Sequence, residues 1–201
     1  MNSYHHRYLR DKLLKEALKI VDEKGADYLN MRDLGITCGV SRSAAYRHFE
    51  SKDYLLAELG VFSFEQLYQT IYLEIKKEKK DDIKSQLLAS GVGYVVYLTK
   101  YANRQKLLFG NIIKDPNSAS YVEKSGEKAF SLMASIIDKI TASKEHAVKD
   151  KVSRYKSIGS WALVHGLVEL INKKLINDLK SNDQKEISRY VKKILENTNF
   201  L

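Results

Sequence analysis

Apolar residues recur at helical spacing along nearly the whole chain. From about Ser3 to Lys24, Leu9, Leu13, Ala17, Ile20 and Val21 form one stripe, with Leu14 and Leu18 beside it. That run ends at Lys24-Gly25, a basic residue followed by a C-cap glycine. A second long helix is predicted from Lys52 through Leu55, Leu59, Phe62, Leu67, Ile71 and Ile75, before a charged break over 76–82. Further helices are predicted over about Asp82 to Ala102, Asn103 to Ile113 (stopped by Asp115-Pro116), Ser118 to Thr141, Lys149 to Leu179 and Gln184 to Asn197. The segment SIGSWALVHGLVELINKKLI is apolar almost all the way round and must be buried on both sides. The last helix carries Ile187, Tyr190, Val191, Ile194 and Leu195 on one face, after an Asp183/Glu186 capping box. One chain of this size cannot easily enclose two such helices. Pairing them with the same two of a second copy solves the burial problem, so a homodimer through the last two helices is expected.

A different pattern occupies Asn30 to Asp53, NMRDLGITCGVSRSAAYRHFESKD. Asn30 can cap a short helix, with Asp33 three residues on where a capping-box partner sits. Gly39 supplies a left-handed turn, Ser41 caps a second short helix over about Arg42 to His48, and Ser51 caps the long helix that follows. Two short helices joined by a glycine turn make a helix-turn-helix, which delivers its second helix into the DNA major groove. Met31, Leu34, Val40, Ala45 and Phe49 would form its core, covered by the first helix.

From about Tyr8 to Ala57 the chain resembles the DNA-binding domain of the tetracycline-repressor (TetR) family of bacterial transcription regulators. The residues that carry the resemblance are YLRDKLLKEALKIVDEKG, MRDLG, CGVSRSAAYRHF and SKDYL. Two positions depart from the family pattern. Gly35 stands where alanine is usual, a loss of about 1 kcal/mol in helix propensity, and Ser43 replaces a commoner glycine. Trp161, His165 and Gly166, at WxxxHG spacing, resemble the eighth-helix pattern of a TetR subfamily. The resemblance implies an all-α fold of about nine helices. Residues 1–55 would be a three-helix helix-turn-helix DNA-binding domain, and residues 56–201 a helical effector-binding and dimerisation domain. It also implies a homodimeric regulator, most commonly a repressor, that leaves a palindromic operator when a small molecule binds.

Composition changes this picture little. One proline and ten glycines in 201 residues leave helix unbroken nearly everywhere. No run of about 18 apolar residues and no signal-peptide pattern occurs, so a cytoplasmic protein with no membrane partner is expected. The lone Cys38 excludes an intramolecular disulfide and makes a cysteine metal site improbable; no cofactor is called for. His5 and His6 could bind a metal weakly, but a frayed tail is the simpler account, so no metal site is assigned. The net charge of +9 suits a polyanion, yet only a surplus of two lies in residues 1–55. The rest lies downstream, around Lys76 and along the last helices, where charge runs are usually solvated faces. The motif, and not the charge, carries the DNA reading.

Candidate DNA contacts are Arg32, Ser41, Arg42, Ser43, Ala44, Tyr46, Arg47, His48 and Lys52. Arg42 is placed for a bidentate guanine contact and Ala44 for a thymine methyl. By the resemblance, Tyr46 and His48 are phosphate contacts. Lys52 adds its charge to the free amides of a helix N-terminus. Candidate effector contacts are Tyr94, Tyr97 and Tyr101 at i, i+3, i+7, with Phe109, Tyr121, Phe130, Met133, Trp161 and His165. Such an aromatic stripe is more often plain core, and a histidine there is more often a hydrogen-bonded core residue. No nucleophile elbow, phosphate-cradling glycine loop, HExxH or paired cysteines occur, and the pair His165/Glu169 sits in an apolar helix, so catalysis is not expected. The alternative to an effector-released regulator is a helix-turn-helix protein that binds DNA or recruits a partner without a ligand.

Overall fold

The structure of the chain, a computed structural model, describes residues 2–142, 146–179 and 183–198, with side chains from 7 to 142, 151 to 179 and 183 to 198. The His5–His6 pair falls outside the described side chains. Among the described residues there are eight α-helices and no strand. They are α1 (Asn2–Lys24), α2 (Met31–Thr37), α3 (Lys52–Lys76), α4 (Ile83–Lys100), α5 (Gln105–Phe109), α6 (Pro116–Ile140), α7 (His146–Asn172) and α8 (Gln184–Asn197). The all-α class therefore holds, and the count falls one short of the expected nine.

The missing helix is the one expected over Arg42 to His48. That segment is wound as a 3-10 turn over Ala45–Arg47, closed by i→i+3 bonds from the amides of Ala44, Tyr46, Arg47 and His48. Only Phe49 N–H reaches back four residues, to Ala45 C=O. A run this short has too few α-type bonds to offset their nucleation cost, so the tighter winding competes. The caps are otherwise as the sequence predicts at two of three places. Asn30 Oδ1 accepts from the amides of Arg32 (2.9 Å) and Asp33 (3.3 Å), and Ser51 Oγ accepts from Tyr54 N–H (3.0 Å). Ser41 does not cap with its side chain; its hydroxyl lies 3.3 Å from that of Ser43, and its carbonyl closes the turn.

The chain divides into two compact units, Met1–Phe64 with Tyr101–Gly126, and Glu65–Lys100 with Glu127–Leu201. In the first, Leu13, Ala17 and Val21 of α1 cover Met31, Leu34, Ala45 and Phe49, all at most 3% exposed, together with Leu55, Leu59 and Leu107. Burying one such leucine or phenylalanine contributes about 1.5–3 kcal/mol, so this shared core holds the turn in place. Arg10 pairs with Glu58 and lies over the Phe49 ring, and Lys12 Nζ donates to the Cys38 carbonyl (2.9 Å) at the end of α2. Gly39 adopts φ 75°, the left-handed conformation of the turn.

Gly35 has a tertiary reason. A Cβ built there would stand 2.6 Å from the carbonyl oxygen of Ser41, a backbone atom across the turn. Gly35→Ala gains about 1 kcal/mol of helix propensity but forces the turn apart, an overpacking cost of about 1–3 kcal/mol. The clash should win. Thermal denaturation is expected to show a less stable variant, and a raised melting temperature would show that the turn relaxes freely.

Residues 101–118 bring a further layer to the first unit. Arg104, 2% exposed, makes a two-pronged ion pair with Asp22 near the end of α1 (Nε–Oδ1 2.5 Å, Nη2–Oδ2 2.7 Å) and lies over the Tyr101 ring. Asn103 Nδ2 donates to the Asp22 carbonyl, and Lys106 pairs with Asp27. Asp53, in the first turn of α3, accepts both the Lys114 and Asp115 amides at 2.7 Å. Asp115 in turn caps α6 through Ser118 N–H.

In the second unit α4 packs against both α7 and α8. The apolar stripe of α8, Ile187, Val191 and Leu195, is buried, and Asp183 caps that helix through Lys185 N–H. α7 buries Val164, Leu167 and Val168 but leaves Tyr155, Ile158, Trp161 and Leu170 exposed by 37–69%. It is covered on one side, and not on both as its composition predicts. It also ends at Asn172, short of Leu179, because Lys174 takes a left-handed conformation (φ 56°) and Leu175 N–H closes back on Leu170 C=O.

Candidate nucleic-acid interface and effector site

The helix-turn-helix core fixes which side chains of the recognition segment face outward. Arg42, Ser43, Tyr46 and Arg47 are exposed, as are Ser41 at its start and Arg32 on α2. Together they form a surface of three guanidinium groups, two serine hydroxyls and a phenol, with no competing carboxylate among these six residues. Such groups recognise phosphates and guanine edges. His48 is half-buried, its ring 6.5 Å from that of Phe49. Lys52 is half-buried at the first position of α3, its Nζ 3.5 Å from the Asp27 carbonyl. Ala44 does not join this set. It is 7% exposed, packed into the domain and not presented outward.

The candidate effector residues separate. Tyr94, Trp161 and His165 meet: Trp161 Nε1 donates to the Tyr94 hydroxyl at 3.0 Å, and that hydroxyl lies 2.8 Å from His165 Nδ1. Burial pushes the Tyr94 pKa up, so the phenol keeps its proton within this cluster. Phe130 joins them edge-on to Trp161 at 5.7 Å. Tyr97 and Met133 are buried in the same unit. Tyr101 and Phe109 belong to the first unit, where they face Arg104 and Phe64, and Tyr121 is 55% exposed; these three are not part of the Tyr94 cluster. Nor does Trp161 fill an enclosed hole, since it is 37% exposed. Asp138, Ser153, Arg154 and Ser157, which line a groove between α6 and α7, carry no sequence signal. Only the docking of two helices brings them together.

A helix-turn-helix held on a buried three-helix core, in an all-α chain, defines a DNA-binding regulator. Residues 13–59 match the family of bacterial regulatory proteins, tetR family. Residues 13–59 thus carry a TetR-family DNA-binding domain, the domain of DNA-binding transcriptional regulators. No curated protein matches the chain. Among solved structures, it is similar to a protein of unknown function from Rhodococcus sp. RHA1, with 23% identity over 98% of each chain and a TM-score of 0.76. It is also similar to the TetR family transcriptional regulator PfmR from Thermus thermophilus, with 17% identity, 92% of this chain and 98% of that one covered, and a TM-score of 0.63. A third likeness is to the fatty acid degradation regulator FadR from Bacillus halodurans, with 12% identity, 95% and 96% covered, and a TM-score of 0.67. At these identities the likenesses establish a shared fold. No helix among the described residues is long and apolar enough to cross a membrane.

Proposed function

We propose that the chain acts in the cytoplasm as a homodimeric repressor of a palindromic operator and is released by a small-molecule effector. Residues 1–55 would read the DNA and residues 56–201 would sense and dimerise. The outward set Arg42, Ser43, Tyr46 and Arg47, with Ser41, Arg32 and Lys52 beside it, carries the DNA-reading part. The exposed apolar face of α7 supports a dimer through the last two helices. The Tyr94–Trp161–His165 cluster, bordered by Phe130, offers hydroxyl and ring contacts to an effector. Half-burial of His48 limits it to a phosphate contact at the edge of the surface.

Arg42→Ala should weaken operator binding by about 1–3 kcal/mol and relax one base preference, whereas Lys52→Ala should lower affinity on every sequence alike. Fluorescence anisotropy on the operator and on scrambled duplexes distinguishes the two. An Arg42 variant with unchanged preference would remove its assigned role. Mapping the genomic fragments bound by the purified protein, then repeating the gel shifts with metabolites suggested by neighbouring genes, tests the release. Binding at many sites, insensitive to every ligand, would favour a factor that does not sense.

A further inference from the structure

Between α6 and α7 lies an open groove of about 460 Å³. That volume falls within the range of about 300–1,000 Å³ usual for small-molecule sites. Its walls are Phe130, Ala134 and Ile158, and its polar floor is Ser153 and Ser157, respectively 5% and 4% exposed. Asp138 and Arg154 stand exposed at its rim. Ser153 donates its hydroxyl to Asp138 Oδ1. Ser157 has no hydrogen-bond partner among the described residues, and neither Asp138 nor Arg154 makes an ion pair with one.

We propose that this groove binds a small zwitterion with an apolar side chain, an apolar α-amino acid. Its carboxylate lies on Arg154 and Ser157, its ammonium on Asp138, and its side chain on Phe130, Ala134 and Ile158. The charges select the class. A plain anion attracted to Arg154 also meets the Asp138 carboxylate, and a plain cation meets the reverse, so for either ion the two Coulomb terms oppose each other. A molecule with both charges satisfies both groups. The Ser157 hydroxyl, which opens into the groove, then donates to the ligand carboxylate, a charge-assisted bond of the stronger kind. The serine hydroxyl on Asp138 holds that carboxylate in place and competes with its collapse onto Arg154. Binding at this groove does not depend on how the protein reads DNA.

The chain has one tryptophan, and Phe130 of the groove wall touches its ring edge-on, so Trp161 emission reports occupancy. The test is titration of the full-length protein with L-leucine, followed by Trp161 fluorescence and by calorimetry. N-acetyl-L-leucine, which lacks the ammonium, and L-leucinamide, which lacks the carboxylate, serve as controls. Saturable binding of leucine is expected, with each control at least about tenfold weaker. Asp138→Asn should abolish discrimination against the acetylated form, and Arg154→Gln that against the amide; melting temperatures confirm that both variants fold. Absence of saturable binding for leucine, valine and phenylalanine would overturn the proposal, as would affinities unchanged in both variants. If the same variants instead shift self-association in sedimentation while no amino acid binds, the groove seats a second copy and the proposal fails.

Discussion

Asp22→Ala should destabilise the protein by about 3–5 kcal/mol, more than Arg104→Met at its partner. The asymmetry follows from burial. The side chain of Arg104 is 3% exposed and that of Asp22 is 29% exposed. Removing Asp22 takes the two-pronged carboxylate contact away from a buried guanidinium that lies over the Tyr101 ring. Removing the guanidinium leaves a carboxylate that water can reach. Arg104→Met, which keeps much of the apolar stem, should therefore cost only about 1–2 kcal/mol. Urea denaturation followed by far-ultraviolet circular dichroism measures both. Equal losses would mean that the ion pair is hydrated as a unit and that burial does not set its worth.

The second large effect is on DNA binding and concerns a residue far from the motif in sequence. Along α7, Tyr155, Gly159, Ala162 and Leu170 are exposed on a line beside the groove. A Cβ built at Gly159 or at Gly166 meets nothing within 4 Å, so both positions have room on that side of α7. Facing helices could come close along this line. Ala162→Glu puts a charge at the middle of the proposed contact, and a two-fold axis would bring its symmetry mate near it. As a surface change in the single chain it should alter stability by less than about 0.5 kcal/mol. Losing the second recognition segment should nevertheless weaken operator binding about 10²–10⁴-fold, the gain that linking two sites supplies. Sedimentation velocity and anisotropy on the same sample check this. A variant that stays dimeric with full affinity would place the interface elsewhere.

Much of the fold was legible because helices announce themselves locally. The bounds of α3 and α8, the caps Asn30, Ser51 and Asp183, and the turn at Gly39 each rest on residues within a few positions of one another. The recognition segment was legible as a motif but not in its winding. The choice between 3-10 and α geometry over so few residues turns on bonds of similar worth, and the close approach at Gly35 belongs to the same tight turn. The aromatic set was the least legible. Tyrosines at i, i+3 and i+7 share a helix face, yet Tyr94 and Tyr101 fall in different compact units.

The sequence by itself determined the all-α class, the position of the helix-turn-helix and the identity of its core, since periodicity, capping and turn chemistry are short-range. Tertiary structure alone decided which charges are buried and which faces are open. Arg104 reaches Asp22 across 82 positions, Tyr94 reaches His165 across 71, and Ser153 meets Asp138 only where α6 and α7 dock. α8 covers its stripe and α7 does not, although both read as apolar helices. Such pairings depend on how helices pack in three dimensions, and a burial pattern read along one helix contains no information about its neighbour.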